Sequence, residues 1–260
     1  MANRRPQLYP ICAIIAVIAA SCGTVSASPQ VAVAPSTTTT TVAPTTTTTV
    51  ALDPNETLIA TARPTTTHLV AYQEPGGLPM AFPFAVPNPH QFGGPLTVMV
   101  IDGERGDEWL KVQLPIRPNG AEGWIPTKDY VISSTTVRAE VDLSTTSVTI
   151  FDGDEVIAES QAAIGATRTP TPLGTFFVAA LRENPPEESY LGTWAVVLSG
   201  YSETLETFMG GLPVIAIHGT NNPDQVLGHA VSNGCVRVPN DVIGFLAEHV
   251  PLGAPVIVSG

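Results

Sequence analysis

The chain has 260 residues, a length that suits one or two globular domains of about 100–200 residues each. Its 23 acidic and 11 basic residues give a formal net charge of −12, which argues against a nucleic-acid binder, because such proteins need a cationic face. Only 13% of the residues are charged, while 25 are Pro and 22 are Gly, so the composition favours strands, turns and linkers over a coiled coil or a helical bundle.

The N-terminus is predicted to direct export. Arg4 and Arg5 precede a nearly unbroken apolar run at residues 11–20. A run of roughly ten residues is too short to span a bilayer, which needs about 20, but it is typical of the apolar part of a signal peptide. We therefore predict that residues 1–27 are a signal peptide. The protein is then expected in the cell envelope, outside the cytoplasmic membrane, on its periplasmic or cell-wall side.

Two processing sites compete within this segment. Residues 25–27 (VSA) have the small-x-small form of ordinary signal-peptide cleavage. Residues 19–23 (AASCG) resemble the lipobox of bacterial lipoproteins, which implies a lipid on Cys22 and a membrane anchor. We favour the lipobox. On either interpretation at most one of Cys12 and Cys22 remains beside Cys235, so no intramolecular disulfide framework is expected.

Residues 28–68 are predicted to be a disordered linker. They are rich in Thr, Pro, Ala and Val, and the unit TTTTTVA occurs at 37–43 and again at 45–51. Such a segment has too little apolar bulk to offset its ordering entropy. Two roles stay open: a tether that lifts a catalytic domain away from the membrane, or a glycosylated stalk.

Residues 69–133 are predicted to form a small β module. Short strand-like runs are broken by Pro and Gly, and the apolar and polar residues alternate as in half-buried strands. The segments around Trp109 and Trp124 resemble the closing strands of bacterial SH3-like barrels, which implies a small SH3-like β-barrel. In that family the module often recognises cell-wall peptides, but a barrel that only packs on its neighbour is the alternative. The predicted strands are 69–72, 96–101, 109–114 and 123–126.

Residues 135–260 are predicted to be the larger domain, long enough to bury a core of their own. The alternation at Val137–Asp142, followed by the run 148–151, predicts a β-hairpin. One short helix is expected at 241–249, with Asn240 as its N-cap. Further strands are predicted at 156–164, 175–181, 194–198, 214–217, 235–238 and 256–258.

The residues able to carry chemistry lie between 214 and 241. An apolar strand ends at His218, and Cys235 follows 17 positions later, after a polar loop. Two adjacent strands joined by such a loop can bring an imidazole beside a thiol. Because a thiol is mostly protonated at neutral pH, a neighbouring His that accepts its proton creates the nucleophile. Gly234 leaves room for a substrate carbonyl near amides that can hold an oxyanion.

The segments His218-Gly219-Thr220 and Ser232-x-Gly234-Cys235-x-Arg237 resemble the catalytic domain of YkuD-type L,D-transpeptidases. Residues 164–165 and 169–176 (TPTPLGTF) resemble the same family, so the likeness covers about 137–258. It implies a mainly β chain, with a β-sandwich catalytic domain that carries one or two short helices, after the SH3-like barrel. It also implies peptidoglycan cross-linking. The cysteine attacks the carbonyl of the third residue of a donor tetrapeptide stem, releases D-alanine, and passes the acyl group to the amine of an acceptor stem.

Roles follow from this resemblance position by position. Cys235 corresponds to the nucleophile, His218 to the general base, and the Gly219 carbonyl to the group that orients the imidazole. The amides of Gly234 and Cys235 correspond to the oxyanion hole. Ser232 is expected to support the loop.

Other positions leave alternatives open. Arg237 either holds substrate carboxylate or the loop, or forms an internal ion pair. Asn233 stands among the substrate-binding positions, but many family members carry His there, so its side chain has no assigned role. His229 is a competing participant or an ordinary loop residue. Residues 169–174 are a groove wall or a proline-stiffened turn, and residues 182–212 are a lid or a surface loop.

No metal and no cofactor are predicted, because His218, His229, Cys235 and Asp224 lack the paired ligand spacings of zinc sites. The expected partners are the donor and acceptor stem peptides of peptidoglycan, and the membrane through Cys22. Two other functions stay open. The same site can serve L,D-carboxypeptidase activity, D-amino-acid exchange or attachment of a protein to the wall. Alternatively, the protein is a non-catalytic wall-binding lipoprotein.

Overall fold

The computed structural model describes residues 55–260. These residues form three sheets of five, eight and two strands, with two α-helices and two short 3-10 helices. The prediction of a mainly β fold is confirmed. The predicted signal peptide, the lipobox at Cys22 and most of the predicted linker lie outside the described residues. No helix within residues 55–260 is long and apolar enough to cross a membrane.

The first part of the described chain is a five-stranded sheet, which we call the N-terminal domain. Neighbouring strands are antiparallel throughout, in the order β4-β3-β2-β1-β5. A 3-10 helix at Thr127–Asp129 joins β4 to β5, the last two strands in chain order. The inference that this sheet is SH3-like stays a prediction. The strands are β1 Thr57–Ala62, β2 Thr97–Asp102, β3 Trp109–Gln113, β4 Glu122–Pro126 and β5 Tyr130–Thr135.

Two predictions for this region are wrong. The linker is predicted to continue to residue 68, but β1 is an internal strand of the sheet, and Leu58, Ile59 and Ala60 are buried. The strand exists because β2 and β5 pair with both of its edges, and these distant partners leave no mark on the local composition. The run at 69–72 forms no extended strand. Tyr72 makes only isolated bridges, to Pro79 and Trp124.

The second part is an eight-stranded sheet, which, following the sequence prediction, we call the catalytic domain. The order is β14-β12-β11-β10-β15-β6-β7-β8. The pairs β12–β14 and β15–β6 are parallel and the others are antiparallel. The predicted hairpin of β6 and β7 is confirmed. The strands are β6 Val137–Asp142, β7 Ser147–Asp152, β8 Glu155–Gln161, β10 Gly174–Glu183, β11 Trp194–Tyr201, β12 Val214–Thr220, β14 Val236–Pro239 and β15 Pro255–Ser259.

Two further strands, β9 Ile164–Gly165 and β13 Ala230–Ser232, form a short parallel pair beside this sheet. The remaining elements are a 3-10 helix at Pro186–Leu191, helix α1 at Pro223–Val226 and helix α2 at Asn240–His249. Helix α2 buries Ile243 and Leu246 against the sheet. Apolar burial of this kind supplies most of the stability of a short helix.

The predicted N-cap of α2 is wrong. Pro239 occupies the N-cap position, and no side chain caps the helix. The Asn240 side chain instead accepts a hydrogen bond from the Thr193 amide at 3.1 Å and donates one to Asn221 Oδ1 at 2.9 Å. Asn240 therefore joins two loops next to β12, a use of its amide group that competes with capping.

Strand β10 belongs to the cores of both domains. Because side chains alternate across a strand, Phe176 and Val178 pack in the catalytic core, while Phe177 and Ala179 pack in the core of the N-terminal domain. Phe177 is fully buried by this contact. The two domains therefore share strand β10, whose two faces pack in different cores. The N-terminal domain also reaches the edge of the cavity described next.

Candidate active site

The two residues predicted to react lie on neighbouring parallel strands. Within β12 and β14, Ile217 is paired with Val236 and His218 with Arg237. Cys235 immediately precedes β14, so it lies beside the middle of β12. His218 and Cys235 both line one cavity of about 400 Å³, which we call the catalytic cavity. The structure thus brings together the imidazole and the thiol that the spacing predicted.

His218 is held by main-chain groups. Its side chain is buried, and Nδ1 lies 2.7 Å from the carbonyl oxygen of Gly219. Since a carbonyl can only accept, Nδ1 must carry the proton, which leaves the Nε2 lone pair of the neutral ring as the basic site. The Leu191 backbone also lies close to the imidazole. The structure therefore places the Gly219 carbonyl where the resemblance implied an orienting group.

The environment keeps the His218 imidazole neutral. Burial is the main cause that lowers the pKa of His218 below 6.5, and the positive charge of Arg237 lowers it further. The hydrogen bond to Gly219 and the nearby Leu191 backbone raise the pKa of His218 without reversing the shift. A neutral imidazole at pH 7 can accept a proton, which is the state that a general base requires.

The Cys235 thiol is half-buried, and its Sγ lies 4.0 Å from the Val214 carbonyl oxygen. Burial raises the pKa of Cys235 above 9.0, although a hydrogen bond with the Ala216 backbone and the charge of Arg237 both lower it in part. The resting site therefore holds a neutral thiol beside a neutral imidazole. The thiolate has to form as His218 takes the proton during attack.

The loop before Cys235 depends on a glycine and a serine. Gly234 has φ +112, a conformation that only glycine adopts without strain, and a Cβ there would lie 3.0 Å from Ile215 Cδ1. The Gly234 amide donates to Ser232 Oγ at 3.1 Å, and the Ser232 hydroxyl donates to the Cys235 carbonyl. Ser232 thus supports the loop, as the resemblance implied.

This arrangement corrects one prediction. The Gly234 amide was expected to be an oxyanion donor, but it is occupied by Ser232 Oγ. Within residues 55–260, no acceptor bonds the Cys235 amide. Of the two predicted donors, the Cys235 amide is therefore the free one, and Gly234 contributes through its backbone conformation.

A second layer of hydrogen bonds fixes the Ser232 backbone. The Ser232 carbonyl accepts from the Ala166 amide at 2.9 Å and from Thr169 Oγ1 at 3.0 Å. The Thr171 hydroxyl accepts from the Gly165 amide at 2.9 Å. Residues 169–174 were predicted to be a groove wall or a stiff turn. The structure shows that their first part supports the loop before Cys235.

Arg237 lies on β14 and is half-buried. Its Nε is buried and has no hydrogen-bond partner among the described residues, nor does its guanidinium form an ion pair within them. The predicted alternative of an internal ion pair is therefore wrong for residues 55–260. A buried donor without a partner carries a desolvation cost, which a carboxylate ligand would relieve.

Comparisons with known proteins show what this domain resembles. The family profile described as the L,D-transpeptidase catalytic domain, YkuD, matches residues 136–258. This part of the chain is therefore similar to YkuD-type domains. The YkuD protein of Bacillus licheniformis is 30% identical over 47% of this chain and 65% of its own length. YkuD of Bacillus subtilis is 30% identical over 46% of this chain and 63% of its own length. This chain therefore spans less than two thirds of these curated relatives.

A solved L,D-transpeptidase from Mycobacterium smegmatis aligns with 78% of this chain and 99% of its own, at 16% identity and a TM-score of 0.39.

Two predicted positions of this YkuD-type domain have no contact with the catalytic cavity. Asn233 is exposed, although its neighbours on both sides are ordered by the Ser232 hydroxyl. His229 is exposed, and its backbone bonds Val226 and Ile164. Neither residue lines the cavity. His229 is thus placed as an ordinary loop residue.

The apolar side of the cavity was not predicted from the sequence. This side is built from segments of the YkuD-type domain and from a loop of the N-terminal domain. Residues 182–212, predicted to be a lid or a surface loop, supply much of this lining. The signal available in the sequence was the run 208–212 (FMGGL), in which apolar residues flank two glycines. The apolar lining includes Phe92, Leu191, Phe208, Met209, Leu212 and Val214.

One ion pair stands at the rim of the cavity. Arg182, which lines it, donates to both carboxylate oxygens of Glu188 at 2.6 and 2.9 Å. This bond fixes the 3-10 helix at Pro186–Leu191, whose last residue contacts His218. Within residues 55–260, no group of three or more His, Cys, Asp or Glu side chains is placed to hold a metal ion.

Proposed function

We propose that the protein is an exported L,D-transpeptidase that forms peptidoglycan cross-links through a cysteinyl acyl-enzyme. The observation that carries this proposal is the bond between His218 Nδ1 and the Gly219 carbonyl, in the cavity that Cys235 also lines. It leaves Nε2 as the base for a thiol in a YkuD-type domain.

In the first half-reaction, Cys235 Sγ attacks the carbonyl carbon of the third residue of a donor tetrapeptide stem. A carbon–sulfur bond forms while His218 Nε2 takes the thiol proton. In this proposal the Cys235 amide stabilises the negative charge on the substrate oxygen. The tetrahedral intermediate then collapses, the peptide bond breaks, and the terminal D-alanine leaves with the proton from His218.

In the second half-reaction, the side-chain amine of an acceptor stem attacks the thioester. The amine passes a proton to His218 as the new amide bond forms, and Cys235 leaves and regains that proton. Water in place of the amine gives carboxypeptidase activity, and a free D-amino acid gives exchange. A protein amine would give attachment to the wall.

Arg237 is the proposed anchor for a carboxylate of the donor stem. Its charge lies close enough to lower the pKa of both His218 and Cys235, and its buried Nε lacks a partner among the described residues. A guanidinium suits this task because it stays charged and presents several donors in a fixed plane.

The test is the product mixture from a purified disaccharide tetrapeptide. We expect a cross-linked dimer and free D-alanine from the full chain, and neither product from Cys235→Ala. His229→Gln is a matched control, since His229 is exposed and lies outside the cavity. Tripeptide without dimer would favour carboxypeptidase activity. Binding of wall fragments without either product would favour a non-catalytic lipoprotein.

Export and lipid anchoring at Cys22 are part of the proposal and rest on the sequence alone. A Cys22→Ala variant is expected to move the protein from the membrane fraction to the soluble fraction of the envelope. Retention of that variant in the membrane fraction would remove the lipid anchor. Acyl-enzyme formation by the purified protein is independent of this result.

A further inference from the structure

The catalytic cavity receives part of its lining from the N-terminal domain. Gln91 and Phe92 line it, although they belong to the loop that leads into β2. Asn88 holds this loop. Its amide donates to the Thr66 carbonyl at 2.6 Å, and its Oδ1 accepts from the Leu96 amide at 2.9 Å. Phe92 is therefore presented to the cavity by an ordered segment.

Opposite this loop stands a hairpin, which we call the 202–213 hairpin. The Ser202 amide donates to the Pro213 carbonyl at its base, and Phe208 and Gly211 exchange two backbone hydrogen bonds of 3.0 and 2.9 Å at its tip. Met209 and Gly210 both have positive φ, at 49° and 80°, as in a type I′ turn. The apolar side chains of this tip line the cavity.

Arg117 of the N-terminal domain holds the base of the hairpin. Its Nη2 donates to the Ser202 carbonyl at 2.6 Å and also to the Leu205 carbonyl. The guanidinium carbon lies 5.9 Å from the centroid of the Tyr201 ring. The Arg117 guanidinium thus binds two carbonyls that are three residues apart, in the segment that leads to the apolar tip of the hairpin.

Asn119 strengthens the same junction. Its Oδ1 accepts from the Tyr201 amide at 2.9 Å, and its Nδ2 donates to the Tyr201 carbonyl at 2.8 Å. The Asn119 side chain therefore pairs with the end of β11 as another strand would. The Tyr201 hydroxyl donates to the Pro115 carbonyl at 2.8 Å. Loop 115–119 consequently binds the base of the hairpin at several points.

We propose that Arg117 is a positioning residue for substrate. It sets the 202–213 hairpin at the distance from Phe92 at which the hairpin tip and Phe92 form one apolar binding wall for the donor stem. The N-terminal domain is then part of the substrate-binding site in addition to any role in wall recognition. This inference rests on the proposed function, since it assigns a binding role to the cavity used for acyl transfer.

The geometry favours positioning over simple packing. Arg117 directs its donors to backbone carbonyls of the hairpin, and it forms no ion pair with a carboxylate in residues 55–260. Charge-assisted bonds of this kind are short and directional. Since Arg117 does not line the cavity, its effect on substrate passes through the hairpin.

The experiment compares Arg117→Ala with Arg105→Ala in the full chain. Arg105 is a matched control because it also donates to a backbone carbonyl, that of Ile132 at 3.2 Å, but within the N-terminal sheet. We expect Arg117→Ala to raise KM for the donor muropeptide about fivefold with kcat within about twofold. Arg105→Ala should leave both constants within about twofold, and Arg117→Lys should recover part of the loss because it keeps the charge.

A second readout does not depend on turnover. Hydrogen exchange of the Phe208 and Gly211 amides should accelerate about tenfold in Arg117→Ala and not in Arg105→Ala. Alkylation of Cys235 by iodoacetamide should stay within about twofold, because the reagent is too small to need the hairpin. An unchanged exchange rate, or equal changes in the two variants, would overturn the proposal.

Phe92→Ala gives an independent arm in case Arg117→Ala does not fold. We expect it to raise KM about threefold with little change in kcat, since it removes one face of the apolar wall. Phe151→Ala is the control, because Phe151 is also half-buried but stacks on Arg138 at 4.1 Å, away from the cavity. If wild-type protein forms no acyl-enzyme, the proposed function fails, whereas a normal wild type with unchanged Arg117 and Phe92 variants defeats only this inference.

Discussion

The two domains contribute to the catalytic cavity in different ways. The catalytic domain places reactive side chains on a parallel strand pair and holds them with main-chain groups, such as the Gly219 carbonyl on His218. The N-terminal domain is an antiparallel sheet that adds Gln91 and Phe92, neither of which titrates. The comparison indicates that the catalytic domain supplies the titrating groups and most of the apolar lining, while the N-terminal domain adds to the space in which a substrate lies.

The largest expected effect comes from the base. His218→Gln should lower the rate of donor acylation by about 10²–10⁴-fold, because a positioned general base contributes an effect of that size. His229→Gln should stay within about twofold, since its side chain is exposed and outside the cavity. Stopped-flow or quenched mass spectrometry of acyl-enzyme formation measures both. Equal losses in the two variants would place the base elsewhere.

The next largest effect is expected on the free energy of unfolding, through the segment that supports the loop before Cys235. A Cβ at Gly165 would lie 2.3 Å from the Thr171 amide nitrogen, whereas nothing lies within 4 Å of a Cβ at Gly244 in helix α2. Gly165→Ala should therefore lower the free energy of unfolding by about 2–3 kcal/mol. Gly244→Ala should raise it by about 0.5–1 kcal/mol through helix propensity.

Urea denaturation of the two glycine variants provides the measurement. The Gly165→Ala variant should also lose activity, because Thr171 binds the Gly165 amide and the neighbouring Thr169 binds the Ser232 carbonyl. If the Gly165→Ala protein were as stable as the Gly244→Ala protein, residues 169–171 would be able to move away from the added methyl group at little cost. The contacts around Gly165 would then restrain the loop before Cys235 less than their distances indicate.

The pH dependence distinguishes a neutral pair from a preformed thiolate. Because burial lowers the pKa of His218 below 6.5, the acid limb of kcat/KM should have its midpoint below pH 6.5. Because burial raises the pKa of Cys235 above 9.0, its alkylation by iodoacetamide should rise until above pH 9. An alkylation rate that is already at its plateau at pH 7 would contradict the neutral pair.

The same shifts set the sign of the stability changes. Below pH 6.5 the unfolded chain binds a proton at His218 more readily than the folded protein, so stability decreases as the pH falls toward the lowered folded pKa. Above pH 9.0 the unfolded thiol ionises first, so stability decreases as the pH rises. Subtracting the curve of a His218→Gln, Cys235→Ala protein isolates both contributions.

The smallest effect concerns Arg237. Its charge lowers the pKa of both His218 and Cys235, so Arg237→Gln should move the acid limb of kcat/KM and the alkylation midpoint to higher pH. We expect the shifts to be small, since a single partly solvated charge acts through a high effective dielectric. Arg138→Gln is the control, because Arg138 pairs with Glu140 on β6. Equal profiles for both variants would remove Arg237 from the electrostatics of the site.

The sequence was sufficient to predict that His218 and Cys235 lie in neighbouring positions, and many of the strands around them. His218 lies in β12 and Cys235 immediately precedes β14, and apolar alternation shows where such strands run. The hairpin of β6 and β7 was predictable for the same reason, since its two strands are close in the chain. These features depend on local pattern.

Features that depend on distant contacts were missed or misassigned. Strand β1 is held by β2 and β5, and Phe92 reaches the cavity from another domain. The Gly234 amide was assigned to the oxyanion because the sequence does not show that the Ser232 hydroxyl binds it. Asn240 looked like a helix cap, but its amide group joins two loops instead. In each case a hydrogen bond or a packing contact between separate segments decided the outcome.

The most direct test of the central claim is intact-protein mass spectrometry after brief exposure to a disaccharide tetrapeptide. The account predicts a mass increase equal to the donor minus D-alanine, mapped by proteolysis to a thioester on Cys235, and absent in Cys235→Ala and strongly slowed in His218→Gln. An unmodified Cys235 during turnover, or the same adduct on the Cys235→Ala protein, would contradict it.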